Sequence, residues 1–162
     1  MAFDAFLKID GIKGESTDSK HKDEIILLSY NWGVSNAAGG ASAAGGRGAG
    51  KASPSEFQIV KLIDAASPSL FQACASGLHS KDMTVTVRKA GGQQLEYLSY
   101  KFYDVMVSNY QMNGHAQGGD LPMESVSFNY SKVEIKYTPQ DATGKGMSPV
   151  GSGYDFAKMV KV

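Results

Sequence analysis

Cysteine is nearly absent: Cys74 is the only one in 162 residues. A single thiol closes no internal disulfide, so the fold cannot rest on oxidation and suits a reducing cytoplasm. An excess of either charge is absent too, since 16 Lys and Arg balance 16 Asp and Glu. That balance removes any long-range pull toward nucleic acid or anionic lipid, and leaves copies of the chain without net repulsion. No apolar run approaches the length of a membrane span. The opening MAFDAFLKID has no basic stretch ahead of an apolar segment and no small-residue cleavage site, so no cleaved secretory signal is expected. With 42% hydrophobic and 20% charged residues, the composition predicts one domain over 1–162 with a sizeable core.

Glycine, by contrast, is plentiful and concentrated. From Asn36 to Gly50 the chain is nearly all Gly, Ala and Ser, so residues 36–53 read as a long extended loop that builds no core. Within it, GGRGAGKAS resembles a phosphate-binding loop: Gly45, Gly50 and Lys51 have the spacing. The motif needs Ser or Thr after the lysine to hold magnesium, and a helix N-terminus behind it. Here Ala52 and Pro54 follow, then a strand pattern, so the tract reads as a flexible loop and no nucleotide cofactor is expected.

Elsewhere the pattern alternates with period two. FDAFLKI places Phe3, Ala5, Leu7 and Ile9 on one face, and SEFQIVKLI reads as another strand. In EIILLSYNWGV, Ile26, Leu28, Tyr30, Trp32 and Val34 form the expected core face. The opposite face ends in Ser29 and Asn31, small and polar, as if lining something wet. SPSLFQACASG gives the one clear helix, with Ser67 as N-cap, Pro68 at its first position and Gly77 as its stop. Leu70, Phe71, Cys74 and Leu78 define its packed face. MTVTVRKAGGQQLEYLSYKFYDVMV is a hairpin reversing at Gly91-Gly92. In VSFNYSKVEIKY the apolar parity changes after Tyr130, which predicts a β-bulge near Ser131 and Lys132. From about residue 139 the tail reads as irregular, ending on a short strand. The sum is a mainly β fold: a small closed β-barrel of two sheets with one flanking α-helix.

Candidate chemistry is sparse. His21, His79 and His115 fall in separate polar loops, each read as a solvated or locally bonded side chain. Metal binding needs converging ligands, so none is expected. Cys74 with His79 is the only conceivable nucleophile pair, and the helix turns Cys74 inward. Asp18, Asp23 and Glu24 are clustered acids in a polar loop. Arg88 and Lys89 in a turn, beside a tyrosine-rich strand, are the only hint of nucleic-acid binding, and without a basic excess the tyrosines read as packing or interface residues. No catalytic residue is assigned. On these residues alone, a monomeric β-sandwich binding module, its tyrosines stacked on carbohydrate or peptide, stands as the alternative to a self-assembling subunit.

Several stretches together resemble one family. GIKGESTDSKH, then EI, then SYNWGVS, followed by ASPSLFQACASGLH, TVTVRKAGGQQLEYL and VSFNYSKVEIKYTPQ, are similar in order to the haemolysin-coregulated protein (Hcp) family of bacterial type VI secretion. The resemblance runs from Met1 to about Gln140. It implies a small β-barrel with a flanking helix, six copies closing into a ring, and rings stacking into a tube. It implies as partners other copies of the chain, the tip spike protein, the contractile sheath and small effectors carried in the lumen, with no nucleic acid and no membrane insertion. It implies synthesis in the bacterial cytoplasm and export without a cleaved signal, to the medium or a target cell. The family subunit is not an enzyme unless a catalytic domain is fused behind it, and a chain stopping at Val162 leaves no room for one. Within that picture Ser29 and Asn31 are candidates for the lumen. Arg47 and Lys51, the charged residues of the glycine-rich loop, are candidate anchors on a neighbouring protomer or ring.

Overall fold

The structure is a computed structural model that describes residues 2–37, 50–119 and 121–162. Twelve strands and one helix are present among them. They are β1 (Phe3–Ile9), β2 (Ile25–Leu27), β3 (Ser29–Asn31), β4 (Val34–Asn36), β5 (Ala52–Pro54), β6 (Phe57–Leu62), α1 (Ser67–Ser76), β7 (His79–Lys89), β8 (Glu96–Asn113), β9 (Met123–Asn129), β10 (Lys132–Tyr137), β11 (Val150–Asp155) and β12 (Val160–Lys161). The mainly β expectation with one helix holds.

The spine is β8, 18 residues long. Its first half lies between β7 and β10, and its second half pairs with β9. From β7 the sheet continues to β1 and β2, from β9 to β6 and β3, and from β10 to β11 and β12. The expected closed barrel is corrected here. The sheet ends at β2 on one side and β3 on the other, two short strands separated at Leu28, and only the Leu28 N–H to Val60 carbonyl bond (2.8 Å) spans the break. The separate β4–β5 ladder is the stem of the glycine-rich loop.

One apolar cluster fills the interior, including Leu7, Ile25, Phe57, Ile59, Leu70, Val85, Phe102, Val126 and Phe128. Which face of a strand enters it changes along the chain. In β8 Phe102 is buried, then Val105 and Val107; in β7 Met83 is buried, then Ser80. Both changes occur at the level of Asp104, whose φ of 53° turns the strand over. The parity change after Tyr130 lies opposite the same point. No residue is inserted there: Met106 pairs Asn129 and Tyr103 pairs Lys132 in one uninterrupted register, which corrects the bulge expected at Ser131 and Lys132. Strands that cross from one layer to the next at a shared corner must exchange their inward faces.

The same logic corrects the expected core face of residues 26–34. Ile25 and Leu27 are buried while Ile26 and Leu28 are exposed, because inward parity changes where the chain leaves β1 for β6. Past Leu28 the expectation holds for Tyr30 and Trp32, packed against the core, and fails again at Val34, which is exposed on β4. Trp32 Nε1–H donates to the Tyr130 hydroxyl (2.5 Å), which donates to the Ser55 carbonyl (2.7 Å).

The helix begins and ends close to expectation, with two changes. Ala66 occupies the N-cap, with no side-chain cap, and Ser67 is the first helical residue. Gly77 ends the helix at φ 67°, a left-handed geometry that glycine adopts without strain. The buried face is Ser67, Leu70 and Ala73; Phe71 and Leu78 are exposed, because Leu70 and Ala73 already fill the space over the sheet. The hairpin reverses through Gly91 and Gly92 at positive φ. The tail is less irregular than its composition reads, since β11 pairs all along β10 from Lys132–Asp155 to Tyr137–Val150.

Under the helix lies a buried ionic cluster. Lys61 and Glu124 face each other across β6 and β9, both with no exposed surface, at 2.5 Å. Lys61 Nζ is also ion-paired with Asp64 Oδ1 (2.8 Å) and donates to Ser67 Oγ (3.2 Å), and Tyr110 of β8 donates to Glu124. Burial opposes ionisation of Glu124, but hydrogen bonds from Lys61, Tyr110 and Ser67 outweigh it and hold the carboxyl below its ordinary value. Burial, then the bond to Glu124, push Tyr110 up to about 12. Replacing one member of such a pair strands the other charge, at a cost of about 3–5 kcal/mol. Lys61→Met should lose stability of that order in urea unfolding, and more than the exposed-site control Lys8→Met.

Candidate interaction surface

The residues with chemical potential are dispersed. Among the described residues no three of His, Cys, Asp and Glu gather where they could hold a metal ion. Cys74 is half-buried on α1, while His79 is exposed on β7 and meets Asp104 at 3.0 Å. His115 is exposed beyond β8. Lys51 is exposed and is followed by strand β5, not by a helix; Arg47 lies outside the described residues.

Two residues placed by the sequence in polar segments, His21 and Arg88, are buried, and His21 is the locally bonded kind. His21 lies between Glu24 (Nδ1 to Oε2, 2.8 Å) and Glu96 (Nε2 to Oε1, 2.9 Å), stacked on Phe6 at 4.4 Å. On Phe6 also sits the guanidinium of Arg88, 4.8 Å from the ring centroid. Arg88 is 4% exposed and is held by Asp18 at 2.5 Å and Asp4 at 3.4 Å. The supposed basic turn is therefore half spent on a structural clamp, leaving Lys89, which is bonded to Gln140. His21, Phe6, Arg88 and Asp18 together fasten the loop after β1 to β1 and β7. No sequence pattern marks this, because the partners are up to 84 residues apart.

The tyrosine-rich strand is largely consumed by packing. Tyr100 meets Tyr30, Trp32, Phe57 and Phe102 at centroid distances of 5.5–6.2 Å. Tyr103 lies between Lys101 and Lys132 and donates to Glu134 at 3.2 Å. This favours the packing reading over a stacking platform for bases or sugars.

What the fold does assemble is a surface. Ser29 and Asn31, exposed on β3, extend into rows that cross four strands. Asn31 pairs Gln58, Gln58 pairs Ser127, and Ser127 pairs Asn109. Beside it, Ser29 pairs Val60, Val60 pairs Ser125, and Ser125 pairs Gln111. Cross-strand partners share a face. The face these rows share on β3, β6, β9 and β8 thus carries amides and hydroxyls around Val60, with Ser127 itself buried, and none of these eight positions is charged. The next row, Leu62, Met123 and Asn113, is apolar at its edge and opens on a groove of about 540 Å³ with Leu121 and His115. At the other end of β8 a second apolar patch is exposed, where Tyr137 pairs Val150. The alternation of Ser125 and Ser127 in β9 was the signal for this face; it needs the sheet order to become a surface.

Such a sheet-built body, with extended outward faces and dispersed reactive groups, is built for contact with other surfaces more than for a reaction pocket. Residues 6–137 match the family model described as type VI secretion system effector, Hcp. The chain therefore belongs to the Hcp family. It is 40% identical to protein hcp1 of Pseudomonas aeruginosa over 163 positions, covering 99% of each. A solved structure described as a type six secretion system protein superposes with a TM-score of 0.95, at 34% identity over 99% of this chain and 100% of that one. Hcp1 from Salmonella typhimurium matches over the full length of both, with a TM-score of 0.80 and 37% identity.

The clamp residue Asp18 generates a pH test. Its hydrogen bond from Arg88 holds the carboxyl at about 2, against 3.8 unperturbed. The stabilisation is fully present above the unfolded value and lost as pH falls through the folded one. Melting temperatures of Asp18→Asn and the parent should differ most above about pH 4 and converge toward about pH 2; a difference that persists in acid rejects this account of the clamp.

Proposed function

We propose that this chain is the tube subunit of a type VI secretion system: six copies close into a ring, rings stack, and small effector proteins ride in the lumen. The observation that carries this reading is the uncharged face of β3, β6, β9 and β8. A conduit must let varied proteins pass without a sticky apolar wall or a charge that selects by sign, and small amides and hydroxyls meet both demands. Asn31 and Ser29 lie on that face and would touch cargo.

Closing a ring requires two unlike patches per copy, each meeting the other on a neighbour. The exposed apolar groups at opposite ends of β8, Leu62, Leu121 and Met123 at one and Tyr137 and Val150 at the other, supply unlike surfaces of this kind. The glycine-rich loop, carried on the β4–β5 stem, reaches an adjacent copy, with Arg47 and Lys51 pairing its carboxylates. The assembled tube is propelled by the contractile sheath behind a tip spike and leaves the bacterial cytoplasm without a cleaved signal. The subunit acts as a scaffold and carrier, with no catalytic step.

Light scattering on a sizing column and electron micrographs of the purified protein test the ring: annular hexamers are expected, and a monomer at high concentration in every salt condition would falsify the reading. Asn31→Trp should reduce effector co-purification while leaving rings intact; equal loss of both assigns Asn31 to folding instead. Deleting residues 38–48 should weaken assembly, and an unchanged hexamer removes the loop from the interface.

A further inference from the structure

The polar face ends in a dipeptide with chemistry of its own. Asn113 is followed by Gly114, and none of the other four asparagines, Asn31, Asn36, Asn109 and Asn129, precedes a glycine. Asn113 is the last residue of β8, and both it and Gly114 are exposed. Among the described residues nothing accepts a hydrogen bond from the Gly114 N–H, because the ladder with β9 stops at the Asn113–Met123 pair. An amide nitrogen that no described residue bonds, on a residue without a side chain to hinder approach, stands next to a carboxamide carbon.

We propose that Asn113–Gly114 is a self-modifying site that deamidates in the folded protein. The Gly114 nitrogen attacks Cγ of Asn113, forming an N–C bond. The Cγ–Nδ2 bond breaks, and ammonia leaves with the proton from the Gly114 N–H. The resulting five-membered succinimide is opened by one water. Attack at Cγ gives aspartate; attack at the main-chain carbonyl gives isoaspartate, with the chain rerouted through the former side chain. Water enters, ammonia leaves, and no oxidant or cofactor takes part.

The product carries a negative charge where Asn113 stood, one row along β8 from the uncharged rows and at the rim of the groove lined by Leu62, Leu121 and Met123. Conversion therefore places a carboxylate on a face that has none in its two central rows. If that face is a lumen, as proposed above, the modification changes what the wall attracts; the chemistry itself does not depend on that reading.

A control is built into the geometry. A Cβ on Gly114 would come no nearer than 3.9 Å to Pro122, an ordinary contact, and Gly114 is not in the left-handed region. Gly114→Ala therefore keeps the hairpin while crowding the attacking nitrogen. The parent and Gly114→Ala are incubated, folded, at mildly alkaline pH, then digested and mapped by mass spectrometry with an isoaspartate-specific methyltransferase assay. The parent is expected to convert at position 113 into mixed aspartate and isoaspartate. The other four asparagines remain amides, and Gly114→Ala shows no conversion over the same period. Three results overturn the proposal: Asn113 intact when folded but converted in urea, another asparagine converting first, or Gly114→Ala converting as fast as the parent. Since the assay reads a covalent change in any assembly state, its failure leaves the ring test untouched, and failure to form rings leaves this site standing.

Discussion

The Lys61–Glu124 pair is the point through which the two ends of this fold are joined. It connects β6 to β9, takes β8 in through Tyr110, and reaches the helix through Asp64 and Ser67. A lysine without exposed surface is tolerated only when each of its donors is met, and here three acceptors converge on Nζ. The geometry is demanding in return. Helix α1 has no side-chain N-cap and a short apolar face, so its position rests on this polar anchor together with Leu70 and Ala73. Apolar contacts alone would let a ten-residue helix slide; the charged contacts fix where its first turn sits.

That anchoring bears on the surface opposite. The strands that turn Lys61, Glu124 and Tyr110 inward carry Gln58, Val60, Ser125, Ser127, Asn109 and Gln111 on their opposite face. Strand alternation makes the two faces one constraint: the uncharged wall exists in its register because the ionic cluster holds the same strands from behind. A slip of one residue would put a lysine and a glutamate on that wall and bury its serines.

The sequence shows the elements more readily than it shows their faces. β1, β6, the β7–β8 hairpin and α1 fall where alternation, the Gly91-Gly92 pair, Pro68 and Gly77 place them, since those signals are local. Parity is not local. Ile26 and Leu28 look like core and are exposed, because the chain changes neighbours at Leu28; Asp104 turns β8 over with no glycine to announce it. Charge misleads in the same way. Lys61, Glu124, His21 and Arg88 are polar residues that no local pattern marks as interior, yet they are buried, each with at least one partner that only the tertiary fold brings near. Of the candidate site, Ser29 and Asn31 were legible as small polar residues on an otherwise apolar strand. The other six members of their rows come from three further strands, so they join the surface only once the sheet order is known.

Assembly follows from the same economy of faces. The interior is filled by one apolar cluster, yet large apolar residues remain exposed at both ends of β8. They sit on the strands that flank its two ends, Leu62 and Met123 on β6 and β9, Tyr137 and Val150 on β10 and β11. Apolar groups exposed at two separate places are costly for a solitary particle, which must hydrate both. They are useful to a particle with neighbours, since they offer unlike surfaces at a separation that β8 fixes. The length of β8, more than any single side chain, is what sets two such surfaces apart on a chain with so ordinary a composition.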